Sequence, residues 1–244
     1  MDLWYTLIYQ NAAERASYER ARRAVWKGEM ARAGLTRAEL VRALSGLDAQ
    51  SAQATLPARS WSLDDQVCWL ALRTGRRLDP DRVHDGLARA LGRATVHVTP
   101  GARHCLTRLR RAGVRVGLVS NIVHEPAPAI HALLGRLRLA PLLRATALSP
   151  EVRRPKPDPF AFHVCLGLLR AAPRATVHIG DSPADVEGAR RGGLTPWLFL
   201  GADRFSPGAE RRARRGVDPR VPRFASWAEV EHGLFGGDPP VRGP

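Results

Sequence analysis

The run TVHIGDSPADVEGARRGGLTPWLFL, residues 176–200, decides the fold. Thr176 to Ile179 is a short apolar run of strand length, a helix is predicted from about Pro183 to Arg191, and a second apolar run, Pro196 to Leu200, predicts another strand. Strand, helix and strand in this order imply an α/β protein with a parallel, doubly wound sheet. Ligands of such sheets sit at the carboxyl ends of the strands, which draws attention to Asp181 and Asp185 just past the first run.

The same grammar extends outward. On the N-terminal side, Asp158-Pro159 starts a helix over Phe160 to Leu169, and Val114 to Val119 is a branched run that reads as a strand buried on both faces. Before it, Thr99-Pro100 is expected to cap a helix through Leu106 and Leu109 that stops at Gly113. On the C-terminal side, residues 203 to 222 are a Pro- and Arg-rich loop, Ser226 caps a last helix from Trp227 to Leu234, and 236–244 is expected to be a frayed tail. Residues 11–94 differ, with apolar residues at helical spacing and almost no strand signal. Thr36 and Glu39 predict a capping box, Ser62 a second helix start ending near Gly75, and Asp79-Pro80 a third with Val83, Leu87 and Leu91 on one stripe. The expected organisation is a core of 1–10 and 95–235 interrupted by an all-helical block, 11–94.

Composition excludes several classes. The chain has 244 residues, 44% hydrophobic and 25% charged, an ordinary globular balance. Lys and Arg total 38 against 23 Asp and Glu, a formal charge of +15, yet only Lys27 and Lys156 are lysine. The arginines are scattered in pairs such as Arg22-Arg23 and Arg190-Arg191, as on solvated helix faces, so a nucleic-acid role ranks last. Cys68, Cys105 and Cys165 form no CxxC pair, which predicts a reducing, cytoplasmic setting. No basic leader and no apolar window of membrane-spanning length is seen, so a soluble, unexported protein is expected.

The strand-end rule gives a short set of candidates: Asp2, Trp4 and Thr6; Ser120 and Asn121; Asp181 and Asp185. Lys156 lies between them in the loop Arg154-Pro155-Lys156-Pro157-Asp158-Pro159. Carboxylates at two strand ends, with a hydroxyl and an ammonium, suit a hard divalent cation and phosphoryl chemistry with a carboxylate nucleophile.

Four ordered motifs resemble those of the haloacid dehalogenase-like hydrolase superfamily. They are Asp2-Leu3-Trp4-Tyr5-Thr6-Leu7, Val116-Gly117-Leu118-Val119-Ser120-Asn121, Lys156 in its proline-rich loop, and His178-Ile179-Gly180-Asp181-Ser182-Pro183-Ala184-Asp185. The resemblance implies a Rossmann-like core, with the helical block as the family's inserted cap. It implies a Mg²⁺-dependent phosphohydrolase acting on a small anionic metabolite through an aspartyl-phosphate. Asp2 would be nucleophile and metal ligand, Asp181 the second carboxylate ligand, and Trp4 a ligand through its backbone carbonyl. Ser120 and the amide of Asn121 would hold phosphoryl oxygens, Lys156 would neutralise developing charge, and Thr6 and Asp185 would act from behind these groups.

Two departures accompany the resemblance. The family's phosphatases carry a second Asp two residues after the nucleophile as general acid/base; here Trp4 stands there. Family members that cleave carbon–halogen bonds carry a Tyr there, which makes a metal-independent 2-haloacid dehalogenase the rival reading, although Gly180-Asp181 favours the phosphohydrolase. A catalytically impaired binding protein of the same fold is the third reading. The family also places an apolar strand before the nucleophile, whereas Met1 alone precedes Asp2. The expectation is that the chain as given starts late, or that Asp2 is poorly held.

Overall fold

The structure is a computed structural model that describes residues 1–53, 61–205 and 213–236. In chain order the main elements are β1 (Ile8–Tyr9), α1 (Ala12–Arg32), α2 (Arg37–Gln53), α3 (Leu63–Thr74), α4 (Pro80–Arg93), β2 (His97–Val98), α5 (Ala102–Arg111), β3 (Gly117–Ser120) and α6 (Ala127–Arg136). They continue with β4 (Ala145–Leu148), α7 (Ser149–Val152), α8 (Phe160–Leu169), β5 (Val177–Gly180), α9 (Pro183–Arg191), β6 (Thr195–Phe199), β7 (Arg223–Phe224) and α10 (Trp227–Phe235). Every pairing among β3 to β7 is parallel: β3 with β4, and β5 with β6 and β7. Helices cover both faces, as a doubly wound sheet requires. One large apolar cluster joins Leu106, Leu118, Ile179, Phe199 and Trp227, and a second packs Phe162, Cys165 and Leu166 of α8 on Val119 and Ala147.

Met1 and Asp2 lie between β3 and β5 and join the two groups of strands. The Met1 ammonium donates to Gly117 O at 2.8 Å, Val119 N donates to Met1 O at 2.9 Å, and Asp2 N donates to Ile179 O at 2.9 Å. Asp2 is buried and anchored on both sides, so the expectation that it is poorly held is corrected. Beneath Met1, β3 and β5 flank a cavity of about 340 Å³ lined by residues that include Val116, Val119, Phe162, Cys165, Leu166 and Val177.

The helical block has its own apolar cluster, with Trp26, Met30, Leu44, Leu70, Val83 and Leu87 buried. Burying each such side chain contributes about 1.5–3 kcal/mol, which holds the block together, and α4 presents Val83, Leu87 and Leu91 on one buried stripe. Glu29, buried on α1, accepts from Asp79 N at 2.8 Å and Arg82 Nε at 3.2 Å and ties α1 to the start of α4. The block meets the sheet at the loop after β3. Tyr18 Oη donates to Glu125 Oε1 at 3.0 Å, and Gln66 Nε2 donates to Val123 O at 2.5 Å. Arg136 on α6 donates to Gly92 O and Ala94 O at the C-terminus of α4, where carbonyls lack helical partners.

The expected caps at Thr36, Ser62 and Asp79 form, and Gly75 ends α3 with a φ of 64°. The helix expected to be capped by Thr99-Pro100 starts later. Gly101 is its N-cap with a φ of 83°, and a Cβ there would stand 2.9 Å from Trp227 Cβ, so only glycine fits the approach of α10. The Val114–Val119 strand is shifted to Gly117–Ser120, because Val114 N bonds back to Leu109 O and finishes α5. The strands β1, β2, β4 and β7 and the helix α6 are additional to those read from sequence. The tail, Gly236 aside, and positions 206–212 of the expected loop lie outside the described residues. Among the described residues no helix is long and apolar enough to cross a membrane.

Candidate active site

The candidate residues converge at the carboxyl ends of the parallel strands. Asp2 bonds β5 through its own amide and follows Met1, which is bonded to β3; Ser120 ends β3 with Asn121 next, and Asp181 follows β5. Asp185 sits in the first turn of α9, and Lys156 in the loop between α7 and α8. Lys156 is 3% exposed, and its Nζ donates to Asp2 Oδ1 at 2.6 Å and to Asp185 Oδ1 at 2.7 Å. Thr6 Oγ1 donates to Asp181 Oδ1 at 3.3 Å. Asn121 clasps the Lys156 backbone: its Nδ2 donates to Lys156 O at 3.0 Å, and Lys156 N donates to its Oδ1 at 2.7 Å.

Asp185 divides its two oxygens between two tasks. Oδ2 accepts from Ser182 Oγ at 2.5 Å and Ser182 N at 3.2 Å, completing a capping box at the start of α9. Oδ1 holds Lys156 and also lies 2.8 Å from His178 Nε2. Gly180 makes this possible, since a Cβ there would stand 2.2 Å from Asp185 Cγ.

Burial dominates the electrostatics. It pushes the Asp2 carboxyl up, against the opposing charge of Lys156, and raises Asp181 well above its ordinary range, with the charge of Asp2 adding to the effect. Burial alone would raise Asp185 too, but Lys156 and the His178 hydrogen bond hold it well below the usual carboxylate range. The reverse holds for Lys156: burial favours the neutral amine, yet the charges of Asp185 and Asp2 raise it above its normal value. His178 is pushed down to about 3, by burial first and then by the Met1 ammonium.

The comparisons with known proteins bear on this geometry. A family model described as haloacid dehalogenase-like hydrolase matches residues 6–193. The chain belongs to that family. Haloacid dehalogenase-like hydrolase domain-containing protein 3 of Bos taurus is 31% identical over 115 residues, which are 47% of this chain and 44% of that protein. A phosphoglycolate phosphatase of Pseudomonas syringae pv. syringae (strain B728a) is 26% identical over 192 residues, 74% of this chain and 66% of that protein. The matches thus span less than two thirds of these relatives' lengths. Among solved structures, a HAD phosphatase from Thermococcus onnurineus superposes with a TM-score of 0.62 at 19% identity, covering 98% of this chain and 97% of that one, a likeness of fold.

This haloacid dehalogenase-like hydrolase offers oxygen ligands to a hard cation. One ligand oxygen from each of Asp2, Asp181 and Asp185 lies within 4.8 Å of the others. Asp185 has both oxygens engaged, which leaves Asp2 and Asp181 as available carboxylates, a set that suits Mg²⁺. Three carboxylates against one ammonium also leave negative charge that a divalent cation would offset.

Each sequence-derived candidate has a definite place. Ser120 is buried at the end of β3, and the side chain of Asn121 is committed to the Lys156 backbone. Trp4 bridges to Ile8 and packs its half-buried indole against the main apolar cluster. Asp185 serves both as the capping acid of α9 and as a partner of Lys156. His178 was missed. Its only signal is a polar ring inside a buried run, two residues before a glycine.

Proposed function

We propose that this protein is a Mg²⁺-dependent phosphohydrolase that acts on a small phosphorylated metabolite. The observation that carries the proposal is Lys156 Nζ bridging Asp2 and Asp185 beside Asp181. Lys156 engages Asp2 Oδ1, so Oδ2 is the oxygen directed to phosphorus. It forms the O–P bond of an aspartyl-phosphate while the bond from phosphorus to the leaving oxygen breaks. Lys156, the Ser120 hydroxyl and the Asn121 amide stabilise the charge on the transferring group. Asp2, Asp181 and the Trp4 carbonyl would hold Mg²⁺, which supplies Lewis-acid stabilisation when bound.

Trp4 cannot protonate the leaving oxygen or activate water. General acid–base help is worth about 10²–10⁴-fold, so turnover should be slow and proton transfer should fall to solvent or the substrate itself. Phosphate release from a panel of phosphomonoesters, stopped by chelator and abolished in Asp2→Asn, is the expected result. Absence of turnover across the panel with Mg²⁺ present overturns the proposal. Halide release from 2-haloacids in the presence of chelator would replace it with the dehalogenase reading that Trp4 motivates.

A further inference from the structure

We propose that His178 is a positioning residue for Lys156, acting through Asp185; the inference rests on the phosphohydrolase reading above. Side chains alternate along β5, so His178 and Gly180 share one face of the strand while Ile179 takes the other. The Asp185 side chain lies over Gly180, and His178, two residues earlier, reaches its Oδ1 at 2.8 Å. That oxygen also accepts from Lys156 Nζ, and the Asp185 carboxylate is ionised and therefore only accepts. His178 must then present Nε2–H to Asp185 as a donor from a neutral ring, consistent with its depressed basicity. The imidazole is 2% exposed and meets the Phe162 ring edge-on at 4.8 Å, so it is itself fixed and touches no substrate.

The bond has a specific task. A carboxylate torsion is broad, and Ser182 restrains only the Oδ2 side of Asp185. His178 sets the direction of Oδ1, and Oδ1 in turn sets where the ammonium stands against Asp2. The chain His178, Asp185, Lys156, Asp2 therefore transmits the position of β5 to the nucleophile.

His178→Met keeps volume and removes the donor, whereas His178→Gln keeps an amide N–H at comparable reach. Partners of this kind typically account for about 10–100-fold in activity, so His178→Met should lose that much kcat with KM little changed, and His178→Gln should recover most of it. A second readout does not need turnover. Lys27 and Lys156 are the only lysines, so protein labelled with [ε-¹³C]lysine gives two signals. The Lys156 signal should shift and broaden in His178→Met and stay in place in His178→Gln. Should His178→Met fail to fold, His178→Asn, whose amide is too short to reach Asp185, takes its place. The proposal is overturned if the donorless variant keeps the wild-type Lys156 signal, or if His178→Gln disturbs it equally. If wild-type protein hydrolyses no phosphomonoester, the functional reading fails on its own, and the lysine signals still decide the role of His178.

Discussion

At the scale of single residues, the site buries carboxylates at a cost that a cation would offset. Asp2 and Asp181 have folded pKa values raised above their unfolded ones, by burial first, so the stability they contribute is lost as pH rises through the folded values. Metal-free protein at neutral pH carries this penalty. Asp181→Asn should therefore raise the metal-free Tm, each kcal/mol gained appearing as roughly 2–4 °C, while removing the Tm increase on adding Mg²⁺; thermal melts with and without the ion test both effects. His124 works in the opposite direction. Burial, and then the charge of Arg22, lower it from 6.5 to about 3, so between those values the unfolded chain binds a proton that the native state refuses. Stability then falls as pH drops from about 6.5 toward 3, and His124→Asn should show a shallower acid limb in urea midpoints measured across that range.

At the scale of elements, Gly180 decides whether α9 can dock its first turn on β5. Gly180→Ala places a methyl 2.2 Å from Asp185 Cγ, an overpacking expected to cost about 1–3 kcal/mol and to displace Lys156 along with Asp185. Urea midpoint and phosphate release should both fall; unchanged activity would show that Asp185 has another way to hold its place. The elements also show what periodicity can and cannot reveal. β5, α9 and β6 were legible because apolar runs, a Pro at N1 and an acidic first turn agree on one answer. β4 was not, because Ala-Thr-Ala-Leu is too small and mixed to stand out, and its place is set by pairing with β3. The same distinction holds in the site. Asp2, Lys156 and Asp181 were found from motif order, while His178 was hidden because its role depends on which face of β5 meets α9, a tertiary fact.

At the scale of the whole molecule, the helical block stands over the loop that follows Ser120 and Asn121 through Tyr18–Glu125 and Gln66–Val123. Little of this seam could be read in advance, since helical spacing shows which residues face a core but not which core they face. Double substitution of Tyr18→Phe and Gln66→Leu should alter KM more than kcat if the seam governs access to Asp2, and steady-state kinetics would separate the two. The way Met1 and Asp2 are held has a wider consequence. Met1 and Asp2 bond to both groups of parallel strands, to Gly117 and Val119 of β3 and to Ile179 of β5. Asp2 is tied to both groups at once, since its amide bonds Ile179 and the residue before it bonds Gly117 and Val119, so a substitution that shifts one group against the other moves the nucleophile.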